Sequence, residues 1–404
     1  MRTRGIPLSR SCGDTAASLP FALLLAGLLA SNVTSPLFGT NSLHLGAVQL
    51  FPVDVALAAG LAIAGYRRSL RVPPCLAPLL GLLALNTVWG LHAFSSQVAL
   101  NGARSWWWLA GAVVVAASSQ VPLRVLVLGL VGVEALALAS LARYGIQGAT
   151  AGRVVDGEFF TLRPLTEAGA LLLLQLLVLL LPAWWRSSAG KWLLLLCACV
   201  LIVVVQQRTT WLAALAVGPV VVARWLRDTG RQRNELRFAS LGVICLVAPV
   251  LTWFVTHSHT IAGSASDSGT WRWRVASWRG TLDQMSAQAW VVGHPAGAAP
   301  SRYIAGVLEN VQPHNLFVEA SFRFGVLGLA ALLAIGAGVI RRGSMDWLVM
   351  YGILASSAVA ALTYGPSPVV GASLGLILGA TRQPAVDAAP MRSSLFALGG
   401  PARS

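Results

Sequence analysis

The feature that most constrains this chain is the recurrence, from one end to the other, of nearly uncharged apolar runs close to twenty residues long. A helix needs about 20 residues to cross about 30 Å of hydrocarbon. Composition points the same way, with 56% hydrophobic residues against 11% charged and a mean hydropathy of +0.71. The chain therefore reads as an all-α, polytopic integral membrane protein. That reading excludes a soluble enzyme. It also excludes a transmembrane barrel, whose strands would appear as alternating segments of about 10 residues.

The runs place spans near 19–33, 46–66, 74–94, 105–119, 122–142, 165–184, 192–206, 209–224, 238–256, 315–340, 347–363 and 367–381, about twelve in all. The first could pass for a signal peptide. It is read as an uncleaved span, because cleavage would give the remaining helices the wrong charge parity. Basic residues then fall on even-numbered exits: Arg67, Arg68 and Arg71; Arg186 and Lys191; Arg224, Arg227, Arg231, Arg233 and Arg237; Arg341 and Arg342. By the positive-inside rule these exits are cytoplasmic, as are both termini. Residues 1–381 read as a single membrane domain and 382–404 as a disordered cytoplasmic tail. The net charge of +15 is accounted for by these loops, so nucleic acid is not implied and membrane lipids are the expected surroundings. The five cysteines suggest neither a disulfide framework nor a metal cluster.

Two outward connections are long enough to carry structure: a smaller loop, 143–164, and a large helical loop, 257–313, before span ten. In the second, Trp271, Trp273 and Trp278 with Val275, Leu282 and Met285 predict an amphipathic helix at the membrane interface. The informative charges are those on the outer side, against the rule: Arg153, Arg163, Arg208, Arg272, Arg274, Arg279 and Arg302. Arg208 stands at a tight turn between two apolar helices, where an anion site is favoured over simple anchoring. All six histidines also map outward. His257 and His259 form a candidate metal pair, but outer carboxylates are scattered and about four ordered ligands are wanted, so neither a metal nor another cofactor is expected. Arginines can offset a pyrophosphate without a metal, through paired donors on a permanent charge. A histidine near neutral pH can take a proton from a hydroxyl. Together they fit transfer from a lipid pyrophosphate to a hydroxyl on the outer leaflet.

Gln312-Pro313-His314-Asn315-Leu316-Phe317-Val318-Glu319, followed by Gly325-Val326-Leu327-Gly328, resembles the His-Asn and Gly-x-x-Gly signature of the O-antigen ligase and polymerase superfamily. Arg274-Val275-Ala276-Ser277-Trp278 is similar to that family's Arg-x-x-x-Trp helix. Arg208 matches its arginine between the helices before the large loop, and Arg153 through Phe159 resembles a segment of its first outer loop. The resemblance spans roughly residues 150 to 340. It implies a periplasm-facing, metal-independent, inverting glycosyltransferase of the GT-C type in the bacterial inner membrane. The implied donor is an undecaprenyl-pyrophosphate-linked glycan and the implied acceptor is lipid A-core. His314 would be the catalytic base, and Arg208 and Arg274 would bind the donor pyrophosphate. Arg153, Arg272, Asn315 and Trp278 would support them, Asn315 by fixing the ring, receiving the sugar or capping the helix. Within the same resemblance the acceptor could instead be a second lipid-linked glycan, as in a polymerase, or a protein serine, as in an O-oligosaccharyltransferase. A reading from another class is a transporter of lipid-linked glycan. For it the intramembrane candidates are Asp54, Glu134, Glu319 and Arg323, the last two being expected as a helical ion pair facing the bundle.

Overall fold

In the computed structural model, residues 15–33, 43–45, 48–150, 152–155, 158–161, 165–184, 189–204, 208–229, 269–304, 307–310, 313–341 and 347–379 are described. Among these, helices occupy eleven of the expected runs: α1 (Thr15–Leu28), α2 (Pro52–Tyr66), α3 (Ala77–Ala93), α4 (Ser96–Ala117), α5 (Leu123–Thr150), α6 (Glu167–Trp184), α7 (Ala189–Val204), α8 (Arg208–Thr229), α11 (Leu316–Arg341), α12 (Trp347–Thr363) and α13 (Pro368–Gly379). Two more, α9 (Gly269–Asp283) and α10 (Ala287–Val292), lie in the large loop. The expected span at 238–256, the metal candidates His257 and His259, Arg163 and the tail from 382 lie outside the described residues. By length and composition, Pro74–Ala93, Leu123–Arg143 and Leu316–Arg341 can each cross a membrane, and shorter apolar helices of 10–17 residues accompany them.

The described residues are mostly helical, consistent with an all-α membrane protein, and carry three short antiparallel hairpins besides: β1 (Leu43–Leu45) with β2 (Val48–Leu50), β3 (Gly152–Val155) with β4 (Glu158–Thr161), and β5 (Ser301–Ile304) with β6 (Val307–Asn310). In each, two residues separate the strands and one is a glycine: Gly46, Gly157 or Gly306. Two-residue hairpin loops need the left-handed backbone that glycine adopts freely.

Packing fixes the directions of the helices. Gln175 on α6 bonds Ser356 and Ser357 on α12, while Val178 lies against Gly352, so these two helices are antiparallel. Ser373 on α13 donates to the side-chain Oε1 of Gln175 at 2.7 Å, which closes a buried polar tie among three helices. On α13, Gly371, Gly375 and Gly379 lie in turn against Leu109 with Ala112, Val113 with Ala116, and Ala117 of α4. The two helices therefore run parallel. Where lipid offers no hydrophobic drive between helices, small residues spaced by four permit this backbone approach. Antiparallel contact of α3 with α11 follows from Cys75 beside Gly338 and Asn86 beside Arg323.

Span ten departs from expectation by being broken. Gly325 (φ 63, ψ −154) interrupts α11, leaving a short N-terminal half and a long C-terminal one. The segment after α10 fills the notch, and a side chain on Gly325 would run into the Trp290 carbonyl at 2.6 Å. The His294 N–H donates to the Phe322 carbonyl at 2.8 Å, with Nδ1 of the same histidine 3.1 Å from that oxygen. Asn86 Nδ2 donates to the carbonyls of Arg323 (2.9 Å) and His294 (2.7 Å). Two of the acceptors at the break are thus satisfied from within the protein, as non-helical backbone at membrane depth requires. The expected interfacial stripe of α9 is also reassigned. Met285 is buried with Ala289 and Phe322, and Leu282 packs against them, so this end of the stripe faces protein rather than lipid.

Candidate functional site

The N-terminal half of α11 begins at Pro313-His314-Asn315. Asn315 caps it: Oδ1 accepts from the N–H of Phe317 (2.9 Å) and Val318 (3.1 Å), two of the groups a helix start leaves open. Its Nδ2 donates to the Leu362 carbonyl at 3.3 Å, tying this start to the C-terminus of α12. Of the three roles open to Asn315, the capping role is the one its bonds describe. His314, just before the cap, is exposed and has φ 47, in the left-handed region that costs a residue with a Cβ about 1–2 kcal/mol.

On α9, Arg274 and Trp278 are one turn apart and share a face. Trp278 Nε1 donates to the Pro313 carbonyl at 2.7 Å, next to His314. Arg274 Nη1 reaches the Thr363 carbonyl at 3.4 Å, the acceptor following the one that holds Asn315. Successive carbonyls at the end of α12 therefore anchor Asn315 and Arg274. The Arg274 guanidinium is half-buried, its Nε is buried without a hydrogen-bond partner, and among the described residues no carboxylate lies within ion-pair distance. Among the described residues the ion pair is instead Arg104 with Asp54, 3.9 Å apart beside the start of α2. A permanently charged fork without a counter-ion is suited to a bidentate anion.

The backbone of Arg208 opens α8 at the same end. Four residues join α6 to α7 and three join α7 to α8, lengths that make antiparallel neighbours, and Trp211 Nε1 bonds back to the Ile202 carbonyl at 2.7 Å. Hence α8 runs with α6 and against α12. Tyr351 Oη bonds the Ala216 carbonyl. From that level Arg208 stands about 12 Å and Thr363 about 18 Å toward the same end of the bundle, at 1.5 Å per residue. Arg153 lies in β3, on the connection joining α5 to α6. Arg272 lies two residues before Arg274 on α9, a spacing of about 200° around the helix, so the two do not share a face. Arg274, Trp278, His314 and Asn315 are thus brought together, Arg208 shares their end, and Arg272 is set apart from Arg274.

Two groups carry more than their sequence context signalled. His294 stacks on Phe322, with ring centroids 4.2 Å apart, and seals the break in α11. Glu319 and Arg323 face the bundle as expected, at 2% and 3% exposure, but no ion pair closes between them. Arg323 Nη1 donates to the Pro295 carbonyl instead, at 3.2 Å, and both Glu319 oxygens lack a hydrogen-bond partner. Neither role could be found from spacing, because the deciding partners lie elsewhere in the chain. Among the described residues no three His, Cys, Asp or Glu side chains gather as a metal would need.

The fold and this arrangement define a helical membrane protein with an arginine-and-histidine site at one end of its bundle. Residues 192–333 match the family model described as O-antigen ligase, which supports the O-antigen ligase superfamily for this chain and, with it, a ligase- or polymerase-type glycosyltransferase. The matched segment holds Arg208, Arg272, Arg274, Trp278, His314 and Asn315, and stops short of Arg153. No curated protein matches the chain.

Proposed function

We propose that this protein is an inverting, metal-independent glycosyltransferase of the inner membrane. In this reading it moves an O-antigen polysaccharide from undecaprenyl pyrophosphate to lipid A-core at the periplasmic face. Twelve spans with cytoplasmic termini would put the His314 end in the periplasm. The observation that carries the reading is the anchoring of Arg274 and of the His314–Asn315 pair to successive α12 carbonyls, inside a segment matching the O-antigen ligase family.

Arg274 and Arg208 hold the donor pyrophosphate and stabilise the charge that grows on it as the glycosidic bond breaks, a term typically worth about 3–4 kcal/mol per preorganised donor. His314 takes the proton from the acceptor hydroxyl while that oxygen attacks the anomeric carbon on the face opposite the pyrophosphate. Undecaprenyl pyrophosphate leaves, and the imidazolium returns its proton to water, to which His314 is exposed. Trp278 holds the Pro313 carbonyl and so the approach to His314.

The test is purified protein in liposomes with lipid-linked glycan and lipid A-core. Glycan joined to lipid A-core with release of undecaprenyl pyrophosphate, and no ion gradient applied, is the expected result. Chain lengthening on a second lipid-linked glycan would make the enzyme a polymerase. Movement of intact donor across the bilayer without cleavage would replace the enzyme with a transporter.

A further inference from the structure

We propose that Glu319, through its contact with Gly365, is a positioning residue that sets the spacing between Arg274 and His314. The proposal rests on the glycosyltransferase reading above and concerns residues to which that reading assigns no role.

Glu319 lies one turn inside the α11 cap, its N–H bonded to the Asn315 carbonyl at 2.9 Å. It is 2% exposed, neither carboxyl oxygen has a hydrogen-bond partner, and its polar neighbours are Trp106 and Arg323. Such a group is costly to bury inside a membrane bundle, and an apolar side chain would fill the same space at less cost. What it abuts gives it a use. A Cβ built on Gly365 would lie 2.6 Å from Glu319 Oε2, so carboxyl and bare glycine are in contact. Gly365 belongs to the α12–α13 connection, two residues after the carbonyl that receives Arg274 and three after the one that receives Asn315. Ser367 on the same connection has a buried hydroxyl without a hydrogen-bond partner. The end of α12 with the start of this connection therefore sets Arg274 against the His314 end of α11, and Glu319 props it from the α11 side. Moving it changes the distance between Arg274 and His314 while leaving each of them present.

A double-substitution cycle tests this contact directly. In Gly365→Ala the new methyl must part from Glu319 Oε2 by nearly 1 Å to reach ordinary contact; the carboxyl is the movable end of its side chain, but at 2% exposure it has little space to swing into, so the shift passes to the α12 end, and misplacement of about 1 Å near reacting groups costs on the order of 10² in rate. Transfer is measured per folded molecule, with donor KM, for wild type, Gly365→Ala, Glu319→Ala and the double variant. Gly365→Ala is expected to lose about 10²-fold in kcat with little change in KM. In the Glu319→Ala background, where the carboxyl no longer occupies the space, the same methyl is expected to cost under about 3-fold. Glu319→Gln, which keeps the shape, is expected to stay within about 5-fold of wild type. A merely structural contact would lower the yield of folded protein and leave kcat per folded molecule unmoved. That result, or a cycle in which the two effects simply multiply, overturns the positioning role while the glycosyltransferase reading stands. A folded wild type that transfers no glycan overturns the functional reading and this role with it.

Discussion

Replacing His314 separates chemistry from architecture, because its backbone and its ring make opposite predictions. With φ 47 the residue is in a conformation that penalises any Cβ, and Asn315 rather than His314 supplies the cap. His314→Ala removes the ring and keeps the Cβ. His314→Gly removes both. Glycine gives back the left-handed penalty of about 1–2 kcal/mol and loses about 0.5–1 kcal/mol to its freer unfolded chain. The net is a glycine variant more stable than the alanine variant by up to about 1.5 kcal/mol. In a chain of this length that is a rise of about 2 °C or less, so the comparison needs replicate thermal scans in one detergent. Both variants should lose transfer by at least about 10²-fold, the usual contribution of a general base. The assay is glycan transfer in liposomes beside the thermal scan, with donor binding followed by a labelled lipid-linked glycan and expected to persist. A His314→Gly protein that transfers at the wild-type rate removes the base. A glycine variant less stable than the alanine variant shows instead that the ring's contacts, not the backbone, govern this turn.

Arg274→Ala and Arg208→Ala should each lower transfer about 10²–10³-fold, and Arg274→Lys should stay impaired because the paired geometry is gone; Arg302→Ala, on β5 opposite Glu309, serves as the control and should behave as wild type in the same assay. Asn315→Ala should cost about 1–2 kcal/mol of stability, chiefly from the lost cap. Asn315→Asp keeps the capping oxygen and should recover the cap's share, read by thermal unfolding in detergent. Transfer should fall on the acid side as the base protonates, be restored as pH rises, and survive EDTA; a rate silenced by chelator and rescued by a divalent ion would refute a metal-free reaction.

The helices were legible because each rests on local signals. The apolar run at 347–363 is α12 to the residue, and the run at 74–94 is a 3-10 turn (Pro74–Leu76) followed by α3. Pro52 at the first turn of α2, with Asp54 Oδ2 accepting from the Phe51 N–H at 2.8 Å, and Ser95 before α4 are start signals visible in the chain. Less visible were strands of three or four residues, whose alternation is too brief to outweigh neighbouring apolar runs. The Asp156-Gly157 pair between Val155 and Glu158 was nonetheless a hairpin signal in plain sight. At the site, Arg274, Trp278 and His314 could be singled out by residue type and sidedness. Their mutual placement could not, because it depends on the Thr363 carbonyl, 89 residues beyond Arg274, and the Leu362 carbonyl, 47 beyond Asn315. A backbone acceptor has no signature in a sequence.

The break in α11 bears on the choice between enzyme and transporter. Transporters use broken helices because the freed backbone groups at the interruption coordinate ions or substrate. Here the Phe322 carbonyl is taken by the His294 N–H, and the Arg323 carbonyl by Asn86, 237 residues away in the chain. With Gly293 (φ 78) backed against Arg323 and Gly325 against Trp290 and Val291, the space at the break is filled by the chain itself. An interruption plugged in this way works as a joint. It lets the N-terminal half of α11 lie at its own angle, so that its capped start meets α9 and the end of α12 where His314 is exposed. The buried charges nearest the joint follow the same logic: Arg323 spends a donor on the Pro295 carbonyl, which holds the plug, and Glu319 meets the connection that anchors Arg274. Both serve the placement of the site at the end of the bundle rather than a path through its middle, and that favours chemistry at the surface over passage across the membrane.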